Sequence, residues 1–386
     1  MIKGMIYQYN IYSQYLRQFI ERGYNRVVER YGGEPISIVA YWGIGNLEKK
    51  EAEDIYVITT NEARKLIANG EIEVLIIASE NYVWQQDFLT SFFSIKIGLD
   101  NIYIADRLDK EYNTRESIID ALTPYYCCRK FPYLEFHIAD HCNLKCADCE
   151  HYSGLVEDAV FPDFDKFSQD IRQMRKFFDA VFLFRILGGE PLLNPRIEDY
   201  IDLINEVYPD SIIHVVTNAL LLDKMPPSFF EKIRNCPEGS GIFISYYPVM
   251  KNRIEDLRKF LDTKGIRYEV SDEINMFRKQ QKLERSDDEE VRKKYESCYQ
   301  KGCVNLYDGK LAACFLPFTT KYFNSYFDMS IPEDGFVDLY EEGLTTEIIR
   351  RRISQPFERC RYCAEPIEIP WHTIHNPSIL EDWVTV

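Results

Sequence analysis

The sequence predicts an α/β protein in three parts: a small N-terminal α/β domain, a central incomplete α/β barrel, and a C-terminal module built on a β-hairpin. Three observations predict it. Apolar strands alternate with amphipathic helices in two successive runs, the pattern of parallel strands joined by helical crossovers. Beyond Asp272 the composition shifts to a densely charged stretch. Asp308-Gly309 then separates two short apolar segments, a strong two-residue hairpin signal.

The first run opens with apolar positions at Tyr15, Leu16, Phe19, Ile20, Val27 and Val28, a helical period broken by Gly23. Strands are expected at Ile36–Tyr41 and Asp54–Ile58, followed by a short helix from Glu62 to Asn69 that Gly70 closes. Glu73–Ala78 reads as a buried strand, 81–97 as a helix and Asn101–Ala105 as the closing strand. Such strands, apolar on both faces, belong to a parallel sheet. Residues 1–120 therefore form a Rossmann-like domain. Gly43-Ile-Gly45 after the first of these strands lacks the third glycine of a dinucleotide fingerprint and is read as a tight turn. A mixed, charged linker is placed at 107–130.

The second run gives strands at Leu134–Asp140, Ala180–Leu187, Ser211–Thr217, Gly241–Tyr246 and Ile266–Val270. Between the first two, Phe164, Phe167, Ile171, Met174 and Phe178 mark one face of a helix. Asn194 and Pro195 are expected to cap and open the next helix, which Pro209 ends. In such a barrel the chemistry sits at the carboxyl ends of the strands. There the chain carries Cys142, Cys146 and Cys149, the turn Gly188-Gly189-Glu190-Pro191, then Asn218, Ser245 and Tyr246.

Three thiolates within eight residues are one short of a closed four-ligand site and leave a position for a ligand. The spacing Cys142-Asn-Leu-Lys-Cys146-Ala-Asp-Cys149, with the Gly-Gly-Glu-Pro turn downstream, resembles the radical S-adenosylmethionine (SAM) enzymes. The resemblance implies a partial (β/α)6 TIM-like barrel over 126–290 and a [4Fe-4S] cluster on Cys142, Cys146 and Cys149 whose fourth iron SAM chelates. It implies that Gly188, Gly189, Glu190 and Pro191 receive the SAM amino group, with Asn218 and Ser245 as further cofactor contacts. Thr217-Asn218-Ala219 departs from the family's Thr-Asn-Gly by its alanine, and Asp148 stands where an aromatic residue usually packs near the adenine. His151 or Tyr152 is a candidate replacement. A zinc site completed by His141 or His151 is the alternative for the three cysteines.

Arg278–Lys294 is expected to be a solvated helix or linker. Five cysteines follow: Cys298, Cys303, Cys314, Cys360 and Cys363. A hairpin turning at Asp308-Gly309 sets Cys303 opposite Cys314. Cys360-Arg-Tyr-Cys363 has the two-residue spacing of a cluster or zinc knuckle. Residues 291–386 resemble the twitch form of the SPASM domain, which implies one auxiliary [4Fe-4S] cluster. Family spacing favours Cys298 as a ligand and hairpin geometry favours Cys303, with structural zinc as the alternative. Cys127, Cys128 and Cys236 are read as structural, and the tail with Trp371, His372, His375 and Trp383 carries no motif.

A formal charge of −16 excludes general nucleic-acid binding, which needs basic patches. No apolar run approaches the roughly 18 residues of a membrane span. The start MIKGMIYQYN lacks a secretion signal, so the eleven cysteines are expected in a reducing, cytoplasmic setting. The resemblance implies an enzyme that cleaves SAM reductively and abstracts hydrogen, served by a flavodoxin or ferredoxin-type reductant. The Rossmann-like domain and single auxiliary cluster favour a small polyhydroxylated substrate, sugar-like or cyclitol-like, over a peptide. Tyr246, Lys251 and Arg253 are the candidate catalytic residues at the barrel mouth. The contrasting class is a non-enzymatic iron-sulfur or zinc-binding scaffold.

Overall fold

A computed structural model describes residues 1–43, 50–52, 54–78, 99–105, 118–119 and 121–385. They form two compact units, Met1–Cys128 and Arg129–Val386. Among the described residues no helix is long and apolar enough to cross a membrane.

The first unit is built on β1 (Ile2–Tyr7), β2 (Ile36–Trp42), β3 (Lys50–Ala52), β4 (Ile55–Ile58), β5 (Val74–Ala78), β6 (Ile102–Ala105) and β7 (Leu122–Pro124), in sheet order β3-β4-β2-β1-β5-β6-β7. The inner strands β4, β2, β1, β5 and β6 are parallel. Their order reverses direction between β1 and β5, the doubly wound arrangement. The central strand β1 is absent from the sequence reading, because Lys3 and Gly4 interrupt its apolar run. Gly4 is there for space: a Cβ on it would lie 2.7 Å from Ile36 Cγ2 on the neighbouring strand. The opening helix is α1 (Ile11–Phe19), continued through a π turn at Ile20–Tyr24 into α2 (Asn25–Arg30). Gly23 thus widens the helix rather than ending it. Asn10 accepts from Ser13 N at 3.0 Å while Ser13 Oγ accepts from Asn10 N at 2.8 Å, a capping box that satisfies the first turn. The helix α3 (Thr60–Ala68) follows as expected and is capped by Thr59. The 81–97 helix and half of the 107–130 linker lie outside the described residues, as does most of the Gly43-Ile-Gly45 turn.

The second unit carries β8 (Lys130–Ala139), β9 (Ala180–Gly188), β10 (Ile212–Thr217), β11 (Gly241–Ile244) and β12 (Tyr268–Val270), all parallel. They are joined by α4 (Phe164–Arg175), α5 (Ile197–Val207), α6 (Pro227–Arg234) and α7 (Ile254–Asp262). Leu134, Phe136 and Ile138 of β8 bury against Phe167, Ile171 and Met174 of α4 and against Ile201 and Ile204 of α5. Each such side chain contributes about 1.5–3 kcal/mol by leaving water. Helix α5 begins two residues later than expected. Asn194 accepts from Arg196 N at 2.8 Å and its amide reaches back to Ile138 O at 2.5 Å, tying the turn to β8.

Past β12 the chain departs from the barrel order. β13 (Met276–Gln281) pairs antiparallel with β17 (Cys363–Pro370), and the charged helix α8 (Asp288–Ser297) starts later than the charge run suggests. The hairpin of β14 (Asn305–Tyr307) and β15 (Lys310–Ala312) has the expected register, turning at Asp308 and Gly309, both at positive φ. β14 runs parallel to β8, and β16 (Phe336–Asp338) pairs with β15, so one eight-stranded sheet runs β12-β11-β10-β9-β8-β14-β15-β16. The sheet is an open arc that starts at β12 and ends at β16. Two helices, α9 (Leu316–Phe327) and α10 (Thr346–Ile353), complete the unit.

Candidate functional site

At the carboxyl end of β8 the chain enters the loop of Cys142, Cys146 and Cys149, and the turn after β9 closes onto it. Gly189 N–H donates to Ala139 O at 2.7 Å, and Glu190 N–H donates to His141 O at 3.1 Å. A Cβ on Gly188 would sit 2.1 Å from Ala139 O, and one on Gly189 would sit 2.2 Å from His141 O. Gly188 also has φ +139°, open chiefly to glycine. The two glycines therefore let one backbone lie directly on the other, which locks the turn to the cysteine loop. Pro191 starts the short turn that follows.

Glu190 is fully buried. Its Oε1 accepts from Leu192 N at 3.1 Å and Thr217 Oγ1 at 2.7 Å, and Oε2 accepts from Asn218 N at 2.9 Å. A carboxylate offers about four lone-pair positions, so one remains for an outside donor. Burial pushes its pKa up to about 7 against the pull of these bonds. Asn218 donates to Asn143 Oδ1 at 2.8 Å and lies 3.7 Å from Cys142 Sγ. Ala219 keeps the left-handed φ of +63° that glycine would adopt there. The strand ends thus bring Cys142, Glu190 and Asn218 to one place. Ser245 joins them through its backbone, donating to Thr217 O at 2.9 Å.

The tail, in which the sequence shows no motif, straps this loop. Ala147 N donates to His372 O at 3.0 Å, Ile374 N to Lys145 O at 3.0 Å, and Asp148 N to Asp382 O at 2.8 Å. Trp371 Nε1 donates to Cys146 Sγ at 3.1 Å. Tyr247 packs 6.0 Å from the Trp371 ring. Burial, then the negative charge of Cys146, Cys149, Cys142 and Glu190, raises the Tyr247 hydroxyl well above the tyrosine range. The residue facing the site is therefore Tyr247, one position after the expected Tyr246, which packs against the core. Lys251 is exposed, and Arg253 pairs with Asp223 at 2.9 Å on the surface, so neither reaches the cysteines. Asp148, at φ +52°, lies 3.5 Å from Lys279 Nζ, and burial raises its pKa to about 6. Neither candidate aromatic replaces it. His151 packs against Phe315 at 4.1 Å and is driven down to about 3 by burial, while Tyr152 turns inward to Gln281 Oε1 at 2.8 Å.

The second group forms a separate cavity, lined by Cys298, Cys314, Cys360 and Cys363 together with Lys301 and Arg359. Burial, then the nearby thiols of Cys360, Cys298 and Cys363, lifts Cys314 well above the thiol range. Cys303 lies elsewhere. The hairpin ladder ends at Asn305 and Ala312, and the chain then bends so that Cys303 N donates to Gln300 O at 2.8 Å. Its thiol is buried beside Glu135 and Arg185. Of the cysteines read as structural, Cys128 is buried, Cys236 half-buried and Cys127 exposed.

No family model matches the chain. The GTP 3′,8-cyclase of Limosilactobacillus fermentum is 34% identical over 99 residues, covering 25% of this chain and 29% of the relative. That of Hydrogenovibrio crunogenus is 31% identical over 97 residues, with 25% and 29% covered. The chain thus spans under a third of the length of these curated relatives. Over that stretch the chain is similar to GTP 3′,8-cyclases. Among solved structures, BtrN in complex with AdoMet and 2-DOIA is 11% identical with TM-score 0.37, covering 61% of this chain and 93% of that one. Streptococcus suis SuiB bound to S-adenosylmethionine is 17% identical with TM-score 0.31, covering 50% and 44%.

Both cysteine groups fit the anionic clusters that radical SAM chains hold. At the first, Leu144 N and Trp371 Nε1 already donate to sulfur, and Glu190 keeps one acceptor position open. At the second, the buried Arg359 guanidinium donates to Cys363 Sγ at 3.6 Å, and among the described residues no carboxylate accepts from it. A buried cation without an anionic partner is costly, and a thiolate-bound cluster supplies that partner. Among the described residues no group of three His, Cys, Asp or Glu side chains is arranged to hold a single metal ion.

Proposed function

We propose that this chain is an enzyme that binds a [4Fe-4S] cluster through Cys142, Cys146 and Cys149, cleaves SAM reductively, and removes a hydrogen atom from a small polyhydroxylated substrate. The observation that carries the reading is the closure of the Gly188–Pro191 turn and Asn218 onto the cysteine loop, with one acceptor position of buried Glu190 left for the SAM ammonium. When bound, the cluster and SAM supply a 5′-deoxyadenosyl radical. Glu190 and Asn218 orient the cofactor, and Tyr247 with Trp371 walls the site from water. Cys298, Cys314, Cys360 and Cys363 hold one auxiliary [4Fe-4S] cluster, with Cys303 outside it. A flavodoxin or ferredoxin-type protein is the electron donor.

Two features support the substrate class. Tyr133, Glu135 and His137 alternate with the buried apolar positions of β8 and so face away from the helices, as Arg185 does beside them on β9. Tyr133 Oη and Asn305 Nδ2 both donate to Glu135, so this face offers hydrogen-bonding groups suited to hydroxyls. The curated relatives are named for cyclising GTP, a ribose-bearing molecule.

The test is to reconstitute the chain with iron and sulfide and to supply SAM and reductant against deuterated sugars, sugar nucleotides and candidate peptides. Alanine at Cys142, Cys146 and Cys149 together should abolish 5′-deoxyadenosine formation and leave the iron of the second site. Continued formation in that variant would sink the radical assignment. Deuterium transfer only from a peptide would overturn the substrate class.

A further inference from the structure

Arg359 is the most deeply buried cation of the second unit, with 1% of its surface exposed. Every nitrogen of its guanidinium donates a hydrogen bond. Nε donates to Thr320 Oγ1 at 2.8 Å, Nη2 to Tyr152 Oη at 3.2 Å and to Gln281 Oε1, and Nη1 to Cys363 Sγ at 3.6 Å. All these acceptors are neutral side chains except the sulfur. A guanidinium kept inside for structural reasons would ordinarily meet a carboxylate, because an uncompensated buried charge costs several kcal/mol. Here the compensating charge must come from the cysteine cavity. Lys301, 6% exposed, lines the same cavity and is held by Tyr295 O at 2.9 Å and Glu296 O at 2.6 Å. Lys294 and Glu365 line it as well, so the cavity lining carries three cations and one carboxylate.

We propose that Arg359 raises the reduction potential of the group held by Cys298, Cys314, Cys360 and Cys363 by stabilising its one-electron-reduced state; the proposal rests on the cluster reading above. Reduction adds one electron and one unit of negative charge to the cluster and breaks no bond. A fixed buried cation hydrogen-bonded to a ligand sulfur favours that added charge, and cluster potentials respond to both net charge and N–H···S bonds. The guanidinium is held in place whether or not the cluster is reduced, so no reorganisation offsets the gain. Arg359 is thus a positioning residue for the auxiliary site.

The experiment uses the full chain with Cys142, Cys146 and Cys149 replaced by alanine, which leaves one cluster, titrated with dithionite and followed by electron paramagnetic resonance. Two variants are compared in that background. Arg359→Gln removes the cation; Gln281→Glu keeps it but sets a carboxylate of nearly the same shape against Nη2. Both should shift the oxidised-to-reduced ratio at fixed potential at least tenfold toward the oxidised form, about 59 mV per tenfold for one electron. Arg359→Lys, which keeps the charge, should shift it less than Arg359→Gln does. An unmoved potential in Gln281→Glu overturns the role of Arg359, even where Arg359→Gln fails to assemble. A parent chain that retains no iron in this background overturns the cluster reading and the proposal together, so the two failures are told apart.

Discussion

Glu190 shows how much a single side chain must do at this site. Its carboxylate holds Leu192, Thr217 and Asn218 and still presents one acceptor position, so its removal has two separable effects. Glu190→Gln replaces one acceptor oxygen by a donor and removes the charge. A hydrogen bond to a charged group contributes about 1.5–3 kcal/mol, so SAM affinity should fall roughly tenfold or more in equilibrium binding. Unchanged affinity would make the carboxylate a brace for the turn and nothing else. The residues of this kind that the sequence makes legible are those in short local patterns: the three cysteines and the Gly-Gly-Glu-Pro turn. Tyr247, Trp371 and Arg359 were invisible to the same reading. Trp371 reaches Cys146 across 225 residues of chain, and no spacing rule links positions that far apart. Tyr247 was missed by one position, since both Tyr246 and Tyr247 follow the strand and only the fold decides which one turns inward.

At the scale of elements, the strands and helices with a clear period were readable and those defined by distant partners were not. β8 to β12 and the β14–β15 hairpin follow from apolar runs and an Asp-Gly turn. β13 (MFRKQQ) and β17 (CAEPIEIP) mix charged, polar and apolar residues with no continuous apolar run, and exist because they pair with each other. The tail after β17 has the same character. It forms an isolated bridge between Thr373 and Cys146 and is closed by Asp382, which accepts from His375 N at 3.0 Å and Ser378 Oγ at 3.1 Å. Removing residues 371–386 would leave the amides of Ala147 and Asp148 without partners inside the cysteine loop. Each unmet buried donor costs about 1–3 kcal/mol. The truncated chain should therefore lose iron from the first site while keeping most of it at the second, by iron analysis and electron paramagnetic resonance. Full iron at the first site would reduce the strap to a cover.

For the second unit as a whole, the decisive feature is that the hairpin leading to Cys314 is not a separate appendage but part of the barrel sheet. Glu135 N donates to Val304 O at 2.8 Å, and Asn305 Nδ2 donates to Glu135 Oε2 at 3.1 Å, so β14 is fastened to β8 by backbone and side chain. Thr320 and Tyr152, which come from α9 and from the cysteine loop, both bond Arg359 beside the second cavity. Val304, Leu306 and Leu311 of the hairpin region are buried in the same core as Leu134, Phe136 and the helices. A charge shift after Asp272 suggests a domain boundary in the sequence, because composition records solvent exposure and not strand pairing. Shared core and shared ladder predict one cooperative transition. Cys360→Ser, by weakening the second cluster site, should lower the temperature at which the barrel itself unfolds in calorimetry. Two separate transitions, with the barrel's unmoved by the substitution, would show that the hairpin module and the barrel are held together by much less than their common sheet implies.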